Sequence, residues 1–85
     1  MSSSIMWYLH PNFLMRNTYI MNFIEDLIQT NNDHCHITQI LTNEFKIQDA
    51  LLQVLDYKLQ NDLSKTKLLL IDQVLNSLHR LSKHI

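Results

Sequence analysis

The sequence predicts a small all-α protein, a helical hairpin or bundle of three to four helices. The first observation is that its 85 residues contain no glycine. Tight hairpin turns, bulges and phosphate-binding loops depend on glycine, so sheets with tight turns and nucleotide-binding loops are disfavoured. The second is that leucine and isoleucine recur mostly at spacings of three and four, the period of an amphipathic helix. We expect helix from Thr18 onward and no sheet.

Residues 1–17 differ from the rest, because they show no clean period and hold the one tryptophan and the one proline of the chain. We expect a poorly ordered arm here, or a short helix that docks late, ahead of a single helical domain over 18–85. Asn17 or Thr18 can cap the first helix of that domain, which should end at the polar run 30–33. Its apolar face consists of Ile20, Phe23, Ile24, Leu27 and Ile28.

Two further helices should follow. Asn32 or Asp33 can cap the second. Its apolar face consists of Ile37, Ile40, Leu41 and Phe45. The third should run from about 47 to 60, and its apolar stripe consists of Ile47, Leu51, Leu55 and Leu59, widened by Leu52 and Val54. Both patterns are typical of amphipathic helices.

The last helix should begin after a turn at Asn61-Asp62, with Asp62 or Ser64 as its cap. Together with the third helix it should form an antiparallel hairpin. It carries an a/d pattern like that of a coiled coil. We call these positions the C-terminal seam: Ile71, Val74, Leu78, Leu81 and Ile85.

Leu68 and Leu75 widen the stripe beyond the C-terminal seam, so this helix can pack against its own chain and still cover a second surface. The C-terminal seam is therefore our candidate interface. We expect Val74 and Leu78 to lie in the core, and Leu81 and Ile85 to lie nearer the interface.

The size of the chain favours self-association. A chain of 85 residues buries only ~60% of its unfolded surface, and such small domains often depend on disulfides, metals or a second copy. Cys35 is the one cysteine, which excludes an internal disulfide and fits a reducing compartment. We therefore expect a homodimer.

The charge of the chain does not favour binding of polyanions by bulk attraction, since its net value is −1. Its distribution is uneven: six acids and two bases give −4 over residues 1–56, and five bases and two acids give +3 over residues 57–85. The basic part complements the negative end of the last helix or serves an acidic partner. Because it lacks interleaved aromatic residues, nucleic-acid binding stays open but is not favoured.

The most apolar stretch, from Ile5 to Leu14, is interrupted by His10-Pro11-Asn12 and is far short of the ~20 residues of a membrane span. It also lacks the basic start and cleavage site of a signal peptide. We expect a cytoplasmic protein with no membrane partner.

One cluster, Asp33-His34-Cys35-His36, has the chemistry of metal ligands. Neighbours on a helix point about 100° apart, so His34, Cys35 and His36 should not converge on one ion. A site would need a further histidine brought in by the fold, namely His10, His79 or His84. We expect neither a metal nor another cofactor.

No group of nucleophile, base and orienting residue can be named. Glu25 and Asp26 are adjacent and should diverge on a helix, and no serine lies in a nucleophile elbow. We therefore expect a protein that is not an enzyme.

The layout from Phe23 onward resembles a known family. Its features are that aromatic residue, the apolar cluster Ile37-Thr38-Gln39-Ile40-Leu41, the run 47–55 with Leu59, and the run 70–78. Across about 60 residues these spacings are similar to those of the two-component-system connectors of the YmgB/AriR type, small biofilm-development regulators of enterobacteria. The resemblance implies a dimeric helical regulator. Such a protein would bind a response regulator of an envelope-stress phosphorelay and shift biofilm and acid-resistance genes.

The leading hypothesis is thus a small non-enzymatic regulatory adaptor that docks a helix face on another protein. Two alternatives stay open. One is a dimeric modulator associated with DNA or the nucleoid. The other is a helical chaperone or structural subunit of a larger assembly, such as a secretion system.

Overall fold

Four helices form the fold. The computed structural model describes residues 13–84, with side chains over 18–84. The helices are α1 (Phe13–Thr30), α2 (His34–Glu44), α3 (Ile47–Gln60) and α4 (Lys65–Ser82), and no strand occurs over the described range. The all-α prediction is confirmed. Helix α1 begins five residues before Thr18, so it includes the end of the predicted arm; residues 1–12 and Ile85 lie outside the described residues.

Side chains cap the starts of α2 and α4. Asp33 has an extended backbone, and its Oδ1 accepts a hydrogen bond from the Cys35 backbone N–H at 2.9 Å. Ser64 likewise accepts from the Lys67 N–H at 3.3 Å. Both residues were among the predicted caps, because a short side chain with an acceptor oxygen satisfies an otherwise unbonded N–H in the first turn.

The helices end without glycine. No residue of the described chain has a positive φ, and the C-caps Phe45 and Asn61 are extended, with φ of −132° and −126°. Asparagine amides bond the last carbonyls instead: Asn31 Nδ2 donates to Leu27 O, and Asn61 Nδ2 to Tyr57 O, each at 2.9 Å. The Asn61 amide bonds a carbonyl at the end of its helix, and the Asn31 amide adds to the backbone bond that the Asn31 N–H donates to the same Leu27 carbonyl at 3.1 Å.

Helices α3 and α4 are the central elements, since each of them packs against the other three helices. Within the C-terminal seam, Ile71, Val74 and Leu78 have no exposed area. They belong to one core with residues of the other three helices. Full burial of each large apolar side chain in this core stabilises the fold by about 1.5–3 kcal/mol. The other core residues are Ile20, Ile24, Leu27, Ile28, Ile37, Leu41, Ala50, Val54, Tyr57 and Leu70.

The apolar stripe predicted for α3 is mostly not the buried face of this helix: of its members only Val54 is fully buried, and Leu51 is partly buried against the core. The buried residues are Ala50, Gln53, Val54 and Tyr57, whereas Leu55 and Leu59 are exposed. The bounds of the helix agree with the prediction, but its rotation about its own axis does not. Because α3 has apolar residues on two sides, spacing alone cannot tell which side packs inward.

Polar contacts between distant residues fix how the helices meet. Lys67 Nζ, on α4, donates to the Ile28 carbonyl near the end of α1 at 2.6 Å. Lys58 and Asp72 form an ion pair at 2.6 Å between α3 and α4. These side chains hold the ends of α1 and α3 against the start of α4.

Candidate interaction surface

Three exposed leucines lie along one side of α3. Leu52, Leu55 and Leu59 are 61%, 42% and 76% exposed. At 3.6 residues per turn they fall within about 60° of one another and point away from the side that carries Ala50 and Tyr57. We call these three residues the outward leucine face.

This face differs from ordinary scattered surface leucines. Single exposed apolar residues are normal, whereas these three leucines lie side by side on the side of α3 opposite the core. The Lys58–Asp72 ion pair lies beside it, with Leu55 one turn before the lysine. On α4, two further exposed leucines, Leu68 and Leu69, lie one turn before Asp72.

The ion pair itself adds little to stability. Its two side chains are 31% and 45% exposed, and surface pairs of this kind contribute about 0–1 kcal/mol. Its place beside the outward leucine face is that of a polar border next to apolar side chains.

The C-terminal seam is divided between core and surface. The expectation that Val74 and Leu78 belong to the core is confirmed, and Ile71 joins them. Leu81 is 41% exposed, and Ile85 lies outside the described residues. A role of Leu81 and Ile85 in self-association stays a prediction, and among the described residues of the seam only Leu81 is exposed to a second chain.

Leu81 lines a cleft of about 520 Å³ between α2 and the end of α4. The walls combine apolar and polar side chains from both helices. They are Cys35, Thr38, Gln39 and Thr42 from α2, with Ser77, Arg80, Leu81 and His84 from the C-terminal end.

The start of α2 brings three metal-ligating side chains together. One ligand atom each of Asp33, His34 and Cys35 lies within 4.8 Å of the others, and Cys35 Sγ is 3.6 Å from His34 Nε2. His36 is not in this group, so the expectation that His34, Cys35 and His36 do not converge on one ion stays a prediction, although His34 and Cys35 lie close together. The 100° rule describes directions at the backbone, whereas a histidine ring reaches far enough to lie over the next residue.

A second cleft, of about 450 Å³, opens beside Glu25 and Tyr57, which join α1 to α3. The Tyr57 hydroxyl donates a hydrogen bond to the Glu25 carboxylate. Burial raises the pKa of Tyr57 far above its ordinary value of 10.0, and the adjacent carboxylate raises it further. The phenol therefore stays protonated as a hydrogen-bond donor.

Comparison with known proteins adds no relative. No protein-family model matches this chain, and no curated protein or solved structure matches it either. Among the helices over 13–84, none combines the length and apolar character that a membrane crossing requires.

Proposed function

We propose that this protein is a small non-enzymatic regulatory adaptor that binds another protein through the outward leucine face. The observation that carries the proposal is the exposure of Leu52, Leu55 and Leu59 on the side of α3 opposite the core. A helix that supplies one side to its own fold and a second apolar side to a partner has the form of a helix-in-groove ligand.

The energetic argument is that covering these leucines yields a useful share of a binding free energy. Burial contributes about 25 cal/mol per Å² of apolar surface, so each leucine can add on the order of 1–2 kcal/mol. Leu68 and Leu69 extend the apolar area, and Lys58 and Asp72 provide a polar border. A few such anchors account for most of the affinity of a protein interface.

The identity of the partner is proposed from the family resemblance. The spacings over about 23–80 are similar to those of two-component-system connectors, which supports a cytoplasmic homodimer that binds a response regulator. Its output would be altered expression of biofilm or stress-response genes. The all-α bundle is compatible with this proposal, and fold alone does not establish function.

The test uses two variants with the same kind of substitution. The full chain, as wild type, as Leu52→Asp/Leu59→Asp or as Leu81→Asp, is used to capture partners from the native cytoplasm for mass spectrometry. We expect a response regulator with the wild type, its loss with the double variant, and its retention with Leu81→Asp. Circular dichroism of each variant shows whether the helices persist.

Each other outcome counts against part of the proposal. Retention by the folded double variant refutes the outward leucine face as the binding surface. Loss with Leu81→Asp alone assigns binding to the end of the C-terminal seam instead. Capture of secretion-system components in place of a regulator would refute the connector role and favour a structural subunit.

A nucleic-acid-associated dimer is the second candidate, supported by the basic charge of residues 57–85. Arg80, Lys83 and His84 are exposed together at the end of α4. Binding through phosphate contacts must weaken steeply as salt rises. Filter binding to duplex DNA over a salt series tests it, and a flat dependence rules it out.

A further inference from the structure

We propose that the cleft between α2 and the end of α4 binds a small organic acid, a carboxylate attached to an apolar body the size of a medium-chain fatty acid. The volume of the cleft, about 520 Å³, lies within the range of about 300–1,000 Å³ that is usual for small-molecule sites. Such sites combine apolar walls with a few polar groups that orient the ligand. The outward leucine face lies on α3, which does not line this cleft, so the proposal is independent of the adaptor function.

The two walls set the length of the ligand. Each wall takes four residues at the spacing i, i+3, i+4 and i+7, so the walls are one side of α2 over 35–42 and one side of the C-terminal end over 77–84. At 1.5 Å per residue, seven residues of rise make a wall about 10 Å long. An extended chain of about eight carbons has a similar length, since each bond measures about 1.5 Å. The walls therefore suit a small molecule.

The charge of the cleft favours an anion. Arg80 is always charged, and none of the described residues that line the cleft with it is acidic. Nor does any carboxylate of the described chain pair with Arg80; the ion pair there joins Lys58 and Asp72. A guanidinium presents its N–H donors in a planar fork that matches both oxygens of a carboxylate. Arg80 can therefore hold the head of the ligand.

The hydroxyl groups of α2 are already in use. Thr38 Oγ1 donates to the His34 carbonyl at 2.7 Å, and Thr42 Oγ1 donates to the Gln39 carbonyl at 3.1 Å. Because a hydroxyl has one proton, neither threonine offers an O–H to a ligand. Their methyl groups and the Leu81 side chain suit the apolar body instead.

The carbonyls at the end of α4 do not oppose the carboxylate. A helix end usually disfavours an anion, because its last carbonyls lack partners. Here the carbonyls of Arg80 and Leu81 accept hydrogen bonds from the N–H groups of Lys83 and His84, at 3.2 and 3.1 Å. The His79 carbonyl accepts from the Ser82 hydroxyl at 2.7 Å. These bonds reduce the partial negative charge that the ligand head would meet.

The test is a titration of the ¹⁵N-labelled full chain with sodium octanoate, followed by NMR. The amide signals of Gln39, Ser77 and Leu81 should shift together with a Kd of about 0.1–1 mM, the affinity expected for ten non-hydrogen atoms. Acetate lacks the apolar body and 1-octanol lacks the charge. Each should bind at least about 10-fold more weakly, because each loses one of the two kinds of contact.

Cys35 provides a second, local measurement. It is the one cysteine of the chain, it is exposed, and it lines the cleft. The rate of its reaction with N-ethylmaleimide, a neutral reagent, can be followed by mass spectrometry. Octanoate at nine times its Kd occupies about 90% of the sites, so the reaction should slow by about 5- to 10-fold. Octanoate bound only at the outward leucine face would leave the rate unchanged.

Two variants separate the cleft from the basic end of the chain. Arg80→Gln should weaken octanoate binding at least about 10-fold, because it removes the charged fork. Lys83→Gln is the matched control: it removes the same charge three residues later, from a residue that does not line the cleft, and Kd should change less than about 2-fold. Arg80 and Lys83 are both exposed, so circular dichroism should show intact helices in each variant.

Three outcomes overturn the proposal. The first is that about 10 mM octanoate neither shifts the amide signals of the cleft nor slows the reaction of Cys35 in the folded wild type. The second is that acetate or 1-octanol binds as tightly as octanoate. The third is an equal loss for Arg80→Gln and Lys83→Gln, which assigns binding to general attraction by the basic end. None of these results bears on partner capture by the outward leucine face.

Discussion

Truncation of Leu78 to alanine should be among the most damaging single changes in this protein. Leu78 has no exposed area and lies on α4, which contacts all three other helices. Leucine-to-alanine changes in such positions cost about 2–5 kcal/mol, because the lost transfer energy adds to that of a cavity. Neighbours on three sides resist collapse into the cavity, so we expect at least about 3 kcal/mol. At 0.05–0.15 kcal/mol per residue, the whole domain has about 4–13 kcal/mol.

Leu81→Ala is the matched control for this change. It removes the same atoms one turn later on the same helix, but Leu81 is 41% exposed and borders an open cleft. The substitution loses about half of the transfer free energy of a buried leucine and leaves no closed cavity. We therefore expect the free energy of unfolding to fall by about 1–1.5 kcal/mol.

Urea denaturation followed by circular dichroism measures both variants. Leu78→Ala should lower the urea midpoint strongly and Tm by roughly 15 °C, at an unchanged m value. Equal losses for the two variants, or a loss below about 1 kcal/mol for Leu78→Ala, would refute the assignment of Leu78 to the centre of the core.

Two further predictions concern polar contacts in the core and at its edge. The raised pKa of Tyr57 means that above about pH 10 the unfolded chain loses a proton that the folded chain keeps, so the free energy of unfolding should fall as pH rises. Tyrosinate absorbance should show one tyrosine that ionises only as the helices melt, and Tyr57→Phe should remove that late step; an early, complete titration in the folded protein would contradict it. Lys67→Met should cost about 1–2 kcal/mol by thermal denaturation, since it removes a charge-assisted bond to Ile28 O at 2.6 Å. Lys65→Met, two residues earlier and exposed, should be nearly neutral, and similar losses for both lysines would contradict the role of the Lys67 bond.

Several helix boundaries could be predicted because short-range interactions set them. Asp33 and Ser64 cap helices with their own side chains, and α3 runs from Ile47 to Gln60 as its pattern predicts. Helix α1 begins at Phe13 and not at the predicted Thr18, because residues 13–17 show no clean apolar period by which the sequence could indicate a helix.

The rotation of α3 could not be predicted in the same way. The spacing of four from Ile47 to Leu59 describes one apolar side, while Ala50, Val54 and Tyr57 describe another. Both sides have the apolar spacing of a helix, so the local sequence does not favour either one as the side that packs inward. The inward side is the one whose shape fits α1 and α4, and this fit appears only when the whole core is assembled.

The candidate sites show the same division. Exposure of the outward leucine face follows from the rotation of α3, and the pairing of Cys35 with His84 in one cleft follows from the crossing of α2 and α4. The sequence alone determined where helices form and, through Asp33, Asn61 and Ser64, several of their ends, because those bonds span at most four residues. Only the tertiary structure decided which leucines stay exposed and which distant residues line one cleft, because helix orientation depends on packing summed over the entire core.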